Sequence, residues 1–377
     1  MFLLLGKERF LYAQEPKELM DIQTKLDLVK EVGEEIVTEE ELKILFETKK
    51  NPIAYDGFEP SGKIHIAQGI LRALNTNNLT KAGCTFKMLV ADWHAWANNK
   101  LGGDLEKIQT CGEYFVEVWK SCGMDLSKVE FVYANDIMND RDYWKKVMNI
   151  ALNSTIQRIV RCGTILGRDE SDMRQASQIM APVMQAADIF HLNVDIAQLG
   201  MDQRKVNILA RELAPKLKFK KPISVSHHML MGLGEPPSPG ATTIERTIAL
   251  KMSKSKPHTA IFMTDSEEEI KQKINKAHCP AKEVNENPIL DYAKHLVFRK
   301  YSVMKIERPE KFGGNIEFEN YQDLTKGYRE GNVHPMDVKN SVAKYVNEMV
   351  KPVRDHFEKN KKAKELYETV GRFEITR

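Results

Sequence analysis

The sequence predicts an α/β protein, a parallel sheet followed by a smaller helical region. Three observations carry this. Short apolar runs at Ile53-Ala54-Tyr55, Phe86-Lys87-Met88-Leu89-Val90-Ala91 and Phe131-Val132-Tyr133 read as strands. Helical stretches such as Leu105 to Cys122 lie between them, the alternation of a parallel sheet with crossover helices. After about Thr264 the strand texture gives way to helical periodicity.

Taken in order, residues 1–48 read as a charged helical extension. Thr38 and Glu41 form a capping box before Leu42, Leu45 and Phe46. Residues 49–264 form the α/β unit, with an insert at about 105–164. Beyond a boundary near 265, Ser266 and Glu269 make a second capping box ahead of Ile270, Ile274 and Ala277. Asp337 is expected to cap a helix carrying Val338, Val342, Tyr345, Val346 and Met349 on one face. Residues 265–377 therefore read as a helical domain.

Composition narrows the class. At about 150 residues per domain, 377 residues suggest two or three domains. With 42% hydrophobic and 29% charged residues the chain is an ordinary globular protein that needs no disulfides to fold. Five cysteines, an odd number with no CxxC pair, exclude a disulfide framework and the usual zinc spacings and fit a reducing compartment. No metal centre is expected. No run approaches the ~20 apolar residues of a membrane span, and the brief apolar start Met1 to Leu5 lacks a basic region and a cleavage site. A net charge of +3 excludes a strongly basic binder but leaves local basic faces open. The lysine runs at 216–221 and 359–364 read as solvated faces.

Two segments carry chemistry. Tyr55-Asp56-Gly57-Phe58-Glu59-Pro60-Ser61-Gly62-Lys63-Ile64-His65-Ile66-Ala67-Gln68-Gly69 leaves a strand, turns, and is expected to open a helix near His65. A glycine-containing loop before a helix N-terminus is a natural anion site. Lys251-Met252-Ser253-Lys254-Ser255 follows a Pro/Gly-rich loop. Two lysines three residues apart on a mobile loop can clamp a triphosphate and follow leaving pyrophosphate.

Together these segments resemble the two signature sequences of class I aminoacyl-tRNA synthetases. His65-Ile66-Ala67-Gln68 resembles the first, departing at Ala67 and Gln68, and Lys251 to Ser255 matches the second at every position. The intervening sequence is similar to tyrosyl-tRNA synthetases of the archaeal and eukaryotic cytosolic type. The stretches that carry this are Ala91-Asp92-Trp93-His94-Ala95, Pro182-Val183-Met184-Gln185-Ala186-Ala187-Asp188, Gln198-Leu199-Gly200-Met201-Asp202-Gln203-Arg204-Lys205, Arg308-Pro309-Glu310-Lys311-Phe312-Gly313-Gly314 and His334-Pro335-Met336-Asp337.

The resemblance implies a Rossmann-type catalytic domain with a C-terminal anticodon-binding domain. It implies activation of L-tyrosine with ATP, accompanied by Mg2+, and transfer of the aminoacyl group to tRNA(Tyr). Tyr55 and Asp188 would read the phenolic hydroxyl, while Gln185 and Gln203 hold the substrate's amino group and backbone. Gly57 would leave room for the adenylate, and Gly200 and Asp202 would bind ribose. His65, Gln68, Lys251 and Lys254 would contact phosphates, with Met252, Ser253 and Ser255 completing the ATP loop. Phe312, His334 and Asp337 would meet the anticodon. A homodimer through the insert, no membrane association and a cytoplasmic location are also implied. Ala181 departs from the family, which carries a tyrosine there that helps hold the amino group. Two alternatives remain: a related synthetase with altered amino-acid choice, tryptophan being nearest, and a non-catalytic tRNA-binding paralogue.

Overall fold

The computed structural model describes residues 20–163, 175–237, 246, 250–252, 254 and 256–374. Six strands form one sheet: β1 (Gly33–Val37), β2 (Ile53–Phe58), β3 (Thr85–Val90), β4 (Val129–Tyr133), β5 (Ile196–Gly200) and β6 (Ile223–His227). They lie in the order β1-β6-β5-β2-β3-β4. Every pairing is parallel except β1 with β6. The α/β expectation holds, and the three anticipated strands are β2, β3 and β4.

Side chains alternate across the sheet because successive strand residues point to opposite faces. Ala54, Phe86, Met88 and Ile196 enter one hydrophobic cluster with helices Arg72–Lys81 and Leu105–Ser121. Tyr55, Leu89, Ala197 and Leu199 enter the other, with helices Arg141–Leu152, Ser177–His191 and Arg204–Leu217. The first cluster continues into the C-terminal region through Ile270, Val338, Val342, Val346 and Met349.

The topology fixes where a ligand binds. From β2 the chain builds outward to β3 and β4, then returns to lay β5 on the other side of β2. Loops leaving the carboxyl ends of β2 and β5 therefore diverge and open a crevice, the switch point at which such sheets take ligands.

The structure departs from the sequence reading in three places. Residues 33–37, read as part of a helical extension, form β1. It pairs at the edge with β6; Glu35 on it is ion-paired with Arg204, and Glu41 on the helix that follows, Glu39–Thr48, with Arg211 and Lys221. Tertiary pairing overrides the helical propensity of Glu34-Glu35 here. Residues 1–19 of that extension, and 164 of the insert, lie outside the described residues. The last long helix, Pro335–Lys359, is capped by His334 rather than Asp337. The His334 Nδ1 accepts from the Met336 amide at 3.2 Å, and Asp337 sits in the first turn. His334 precedes Pro335, which has no amide and favours the first helical position, so the helix starts there. The C-terminal region also carries a short antiparallel pair, β7 (Met304–Ile306) and β8 (Ile316–Phe318). Thr38 and Ser266 cap their helices as expected, with the full reciprocal box at Ser266–Glu269. All five cysteines are free.

Candidate active site

The floor of the crevice is a buried phenol–carboxylate cluster. Tyr55, on β2, is 1% exposed, and Asp188, on helix Ser177–His191, is fully buried. Burial raises the Tyr55 phenol well above its ordinary range, and the nearby Asp188 and Asp56 charges add to this. It therefore stays a neutral hydroxyl, able to donate and accept. Asp188 accepts from the Tyr143 hydroxyl at 3.0 Å, and His94 Nε2 approaches it to 2.9 Å. Burial works against charge on His94, but Asp188 outweighs it and raises the imidazole. The sequence reading assigned no role to His94 or Tyr143. His94 was discoverable, since it follows the carboxyl end of β3 in a stretch already singled out. Tyr143 looks like one more member of the apolar stripe Tyr143, Val147 and Ile150.

Beside this floor a small cleft is lined by Glu59, Asn98, Cys162, Ala181, Gln185 and Gln203. Gln185 lies three residues before Asp188 on the same helix, so both face the crevice. Gln203 ends the turn Met201–Gln203 that leaves β5. A Cβ at Gly200 would come within 2.5 Å of Asp202 Oδ1 and 2.6 Å of Met229 Sδ, so both side chains would have to shift. At Gly57 a Cβ would sit 3.4 Å from the Tyr55 hydroxyl, over the crevice floor.

The opposite wall carries positive charge. Residue 65 makes an isolated bridge to Phe262, and a wide helical turn, Ala67–Leu71, follows before helix Arg72–Lys81. The helix expected to open near His65 thus starts at Ala67 with a π turn. Burial, together with Lys254 and Lys251, holds His65 well below its ordinary value, so it is neutral. Lys251 is ion-paired with Asp202. Lys254 Nζ stands 4.8 Å above the Phe115 ring and 3.4 Å from Ser61 Oγ. Burial pushes it down to about 7. Met252 is buried, whereas Ser253 and Ser255 lie outside the described residues, as do residues 238–245 and 247–249 of the long loop before Lys251.

Buried polar atoms around the crevice that have no hydrogen-bond partner among the described residues include His65 Nδ1, Gln68 Oε1 and Gln185 Nε2. Each such group costs about 1–3 kcal/mol unless a ligand or water satisfies it. Beneath them runs a buried network that the sequence did not suggest. Arg72 pairs with Asp56, donates to Gln198 and reaches the His227 ring. Burial raises the Asp56 carboxyl to about 7 against the pull of Arg72.

The C-terminal residues form a separate group. Phe312 is 60% exposed, with the Lys311 ammonium 4.9 Å from its ring centroid. Arg308 donates to Gly314 O and to Asn332 O, tying the 308–314 loop to the segment entering His334 and Asp337. Among the described residues, one group has metal-ligand spacing, His228, Asp291 and His295, and it includes none of the residues singled out above.

Residues 47–351 match the model for class I tRNA synthetases of the tryptophan and tyrosine type. The chain is 49% identical over 360 residues to cytoplasmic tyrosine–tRNA ligase 2 of Arabidopsis thaliana, covering 95% of this chain and 46% of that protein. It is 44% identical over 371 residues to the tyrosine–tRNA ligase of Pyrococcus abyssi, covering 93% of this chain and 99% of that one. The crystal structure of tyrosyl-tRNA synthetase complexed with L-tyrosine from Pyrococcus horikoshii superposes with a TM-score of 0.87 at 40% identity, covering 93% of this chain and all of that one. A crevice at the switch point, a buried tyrosine–aspartate floor and a lysine-bearing wall, in a chain so similar, place it in one family: the chain belongs to the class I tyrosyl-tRNA synthetases.

Proposed function

We propose that the chain activates L-tyrosine with ATP and transfers it to tRNA(Tyr). The observation that carries this reading is the crevice itself, which joins a hydroxyl-reading floor to a phosphate-suited wall. Tyrosine enters with its phenol toward Tyr55 and Asp188, and its amino end meets Gln185 and Gln203. A phenol both donates and accepts, so a carboxylate and a hydroxyl satisfy it. Phenylalanine would leave them unpaired, the discrimination for which tyrosine-activating enzymes are the standard example. Ala181 leaves one side of the amino-group end without a hydroxyl, which a water can replace.

ATP lies along the wall. Gly57 lets the adenylate approach, and Gly200 and Asp202 take the ribose. In the present arrangement Lys251 holds Asp202; on ATP binding it exchanges that carboxylate for phosphate. His65 and Gln68 donate to phosphate oxygens, while Lys251 and Lys254, with Met252, Ser253 and Ser255, follow the pyrophosphate. The tyrosine carboxylate attacks the α-phosphorus and pyrophosphate leaves. The protein positions the reactants and stabilises developing negative charge. Lysine, imidazole and amide groups line the phosphate side, which suits magnesium that arrives with ATP, held by phosphates and water. Magnesium supplies charge neutralisation of the triphosphate.

Residues 265–377 serve as the anticodon-binding unit, with exposed Phe312 as a stacking platform beside His334 and Asp337. Dimerisation uses the insert: Met148 and Leu152, 56% and 77% exposed, lie four apart on one helix beside Ile156 at 74%. A cytoplasmic location follows the Arabidopsis relatives named for it. The test is ATP–pyrophosphate exchange with each standard amino acid in turn. Exchange with tyrosine alone is expected. Exchange with another amino acid relocates the specificity to the surroundings of Ala181, and no exchange from folded, tRNA-binding protein refutes the activity.

A further inference from the structure

A second titratable cluster lies outside the crevice, at the root of the strand that carries Lys251. The chain leaves β6 through His228 and runs through residues 230–233. Few bonds lay the Lys251 segment on this strand. Met231 and Lys251 form an antiparallel bridge, the Gly232 amide donates to Leu250 O at 2.7 Å, and the Met252 amide reaches Leu230 O at 3.5 Å. So small a pairing specifies its register weakly, and a one-residue slip turns every side chain to the opposite face. Lys251 would then leave Asp202 and the crevice.

The amide of Met231 is held from the C-terminal region. Asp291 Oδ2 accepts it at 3.0 Å, in a buried position. Asp291 sits on the short helix Pro288–Tyr292, whose N-cap Asn287 accepts from the Ile289 and Leu290 amides and whose apolar residues are buried. Its other oxygen lies 2.8 Å from His228 Nε2 and 3.7 Å from His295 Nε2. His228 Nδ1 is 2.6 Å from Glu34 Oε1 on β1. One cluster therefore joins the first strand, the end of β6 and the C-terminal region. Burial opposes charge on His228, but Asp291 and Glu34 outweigh it and raise the group to about 9, so Asp291 faces a cation at neutral pH.

These residues also have metal-ligand spacing. However, the His228 and His295 rings stack at 10° with centroids 4.0 Å apart. An ion in the plane of one ring stands out of the plane of the other, whereas a ligated metal lies near the plane of each imidazole. The geometry suits an ion-pair latch instead.

We infer that Asp291, paired with His228, is a positioning residue for tyrosine activation, fixing the 230–233 strand and so the placement of Lys251. This rests on the proposed role of Lys251. The latch touches neither end of the tyrosine site, so its loss is felt in ATP use and not in tyrosine binding.

The experiment measures pyrophosphate exchange at varied ATP, together with tyrosine affinity by equilibrium dialysis and thermal unfolding, on the full chain. Asp291→Ala is expected to lower kcat/KM for ATP by about tenfold or more while tyrosine affinity stays within about twofold. Asp291→Asn keeps an acceptor for the Met231 amide and should recover part of the loss. His228→Gln should act in the same direction, more weakly. An Asp291→Ala enzyme with unchanged kcat/KM for ATP overturns the inference, and so does a parallel fall in tyrosine affinity, which marks general disruption. If Asp291→Ala does not fold, His228→Gln and Glu34→Gln decide by the same criteria. Lys251→Ala separates the two readings. If it abolishes exchange while the Asp291 variants are normal, the latch alone is wrong. If it leaves exchange intact, the role of Lys251 is wrong and the latch falls with it.

Discussion

Replacing Asp188 with asparagine tests the floor of the crevice most directly. The two side chains are nearly isosteric, so packing is kept and only charge and one acceptor are lost. In the wild type one carboxylate oxygen accepts from Tyr143 at 3.0 Å and the other lies 2.9 Å from the His94 imidazole, in a position with no solvent exposure. Hydrogen bonds to a charged group contribute about 1.5–3 kcal/mol. Removing the charge that faces the substrate phenol should therefore lower kcat/KM for tyrosine by roughly 10- to 150-fold. Phenylalanine has no hydroxyl to lose, so its rate should change little and the tyrosine-to-phenylalanine ratio should fall by nearly the same factor. The assay is pyrophosphate exchange with each amino acid at saturating ATP. A fall for both amino acids with the ratio unchanged would refute the assignment, because Asp188 would then only hold the fold. Stability gives a second signature. His94 is raised by Asp188, so the pair's stabilisation is complete below the free imidazole value of about 6.5. It is lost as pH rises through the raised folded-state value. The stability gap between wild type and Asp188→Asn should widen as pH is lowered from 8 to 6.

Two further outcomes are expected. Lys254, at about 7 in this structure, must be charged to hold phosphate. ATP binding above pH 7 should then take up a proton, and KM for ATP should rise toward about tenfold per pH unit; calorimetry in buffers of different ionisation enthalpy reads the proton. Lys254→Ala should remove that dependence together with about 100-fold or more of the exchange rate, leaving tRNA binding intact. Leu152→Asp on the exposed Met148–Leu152–Ile156 face should convert a dimer to a monomer in sedimentation without lowering the unfolding temperature.

The strands legible in the sequence were those with short, mainly apolar runs. β2, β3 and β4 each hold three consecutive apolar residues, Ile53 to Tyr55, Met88 to Val90 and Phe131 to Tyr133, but β5 and β6 carry Gln198, Ser224, Ser226 and His227 inside the sheet. Their buried polarity disguises them, because a strand is recognised by what it buries. In β6 the polarity serves the Arg72 network, whose members come from residues 56, 72, 198 and 227. β1 was read as helix because Gly-Glu-Glu-Ile-Val has no pattern of its own; its structure comes from β6.

The site divides along the same line. Residues that act through a local segment were visible together: Tyr55 to Gln68 on one strand and the turn that follows it, Gln185 with Asp188 on one helical face, Lys251 and Lys254 three apart in sequence. Residues that act by holding those groups were not. His94 and Tyr143 converge on Asp188 from separate helices, and Asp291 reaches Met231 from the C-terminal region. The chemistry of such partners is ordinary, a hydroxyl or a carboxylate, and only the fold makes it specific. A buried carboxylate must be hydrogen-bonded or paired. The sequence thus implied that Asp188, once buried, would need donors, although only the sheet topology could say which residues supply them. Where a functional charge is assigned to a buried position, its missing partners are themselves a prediction, and helices Asp92–Ala97 and Arg141–Leu152 are where this fold provides them.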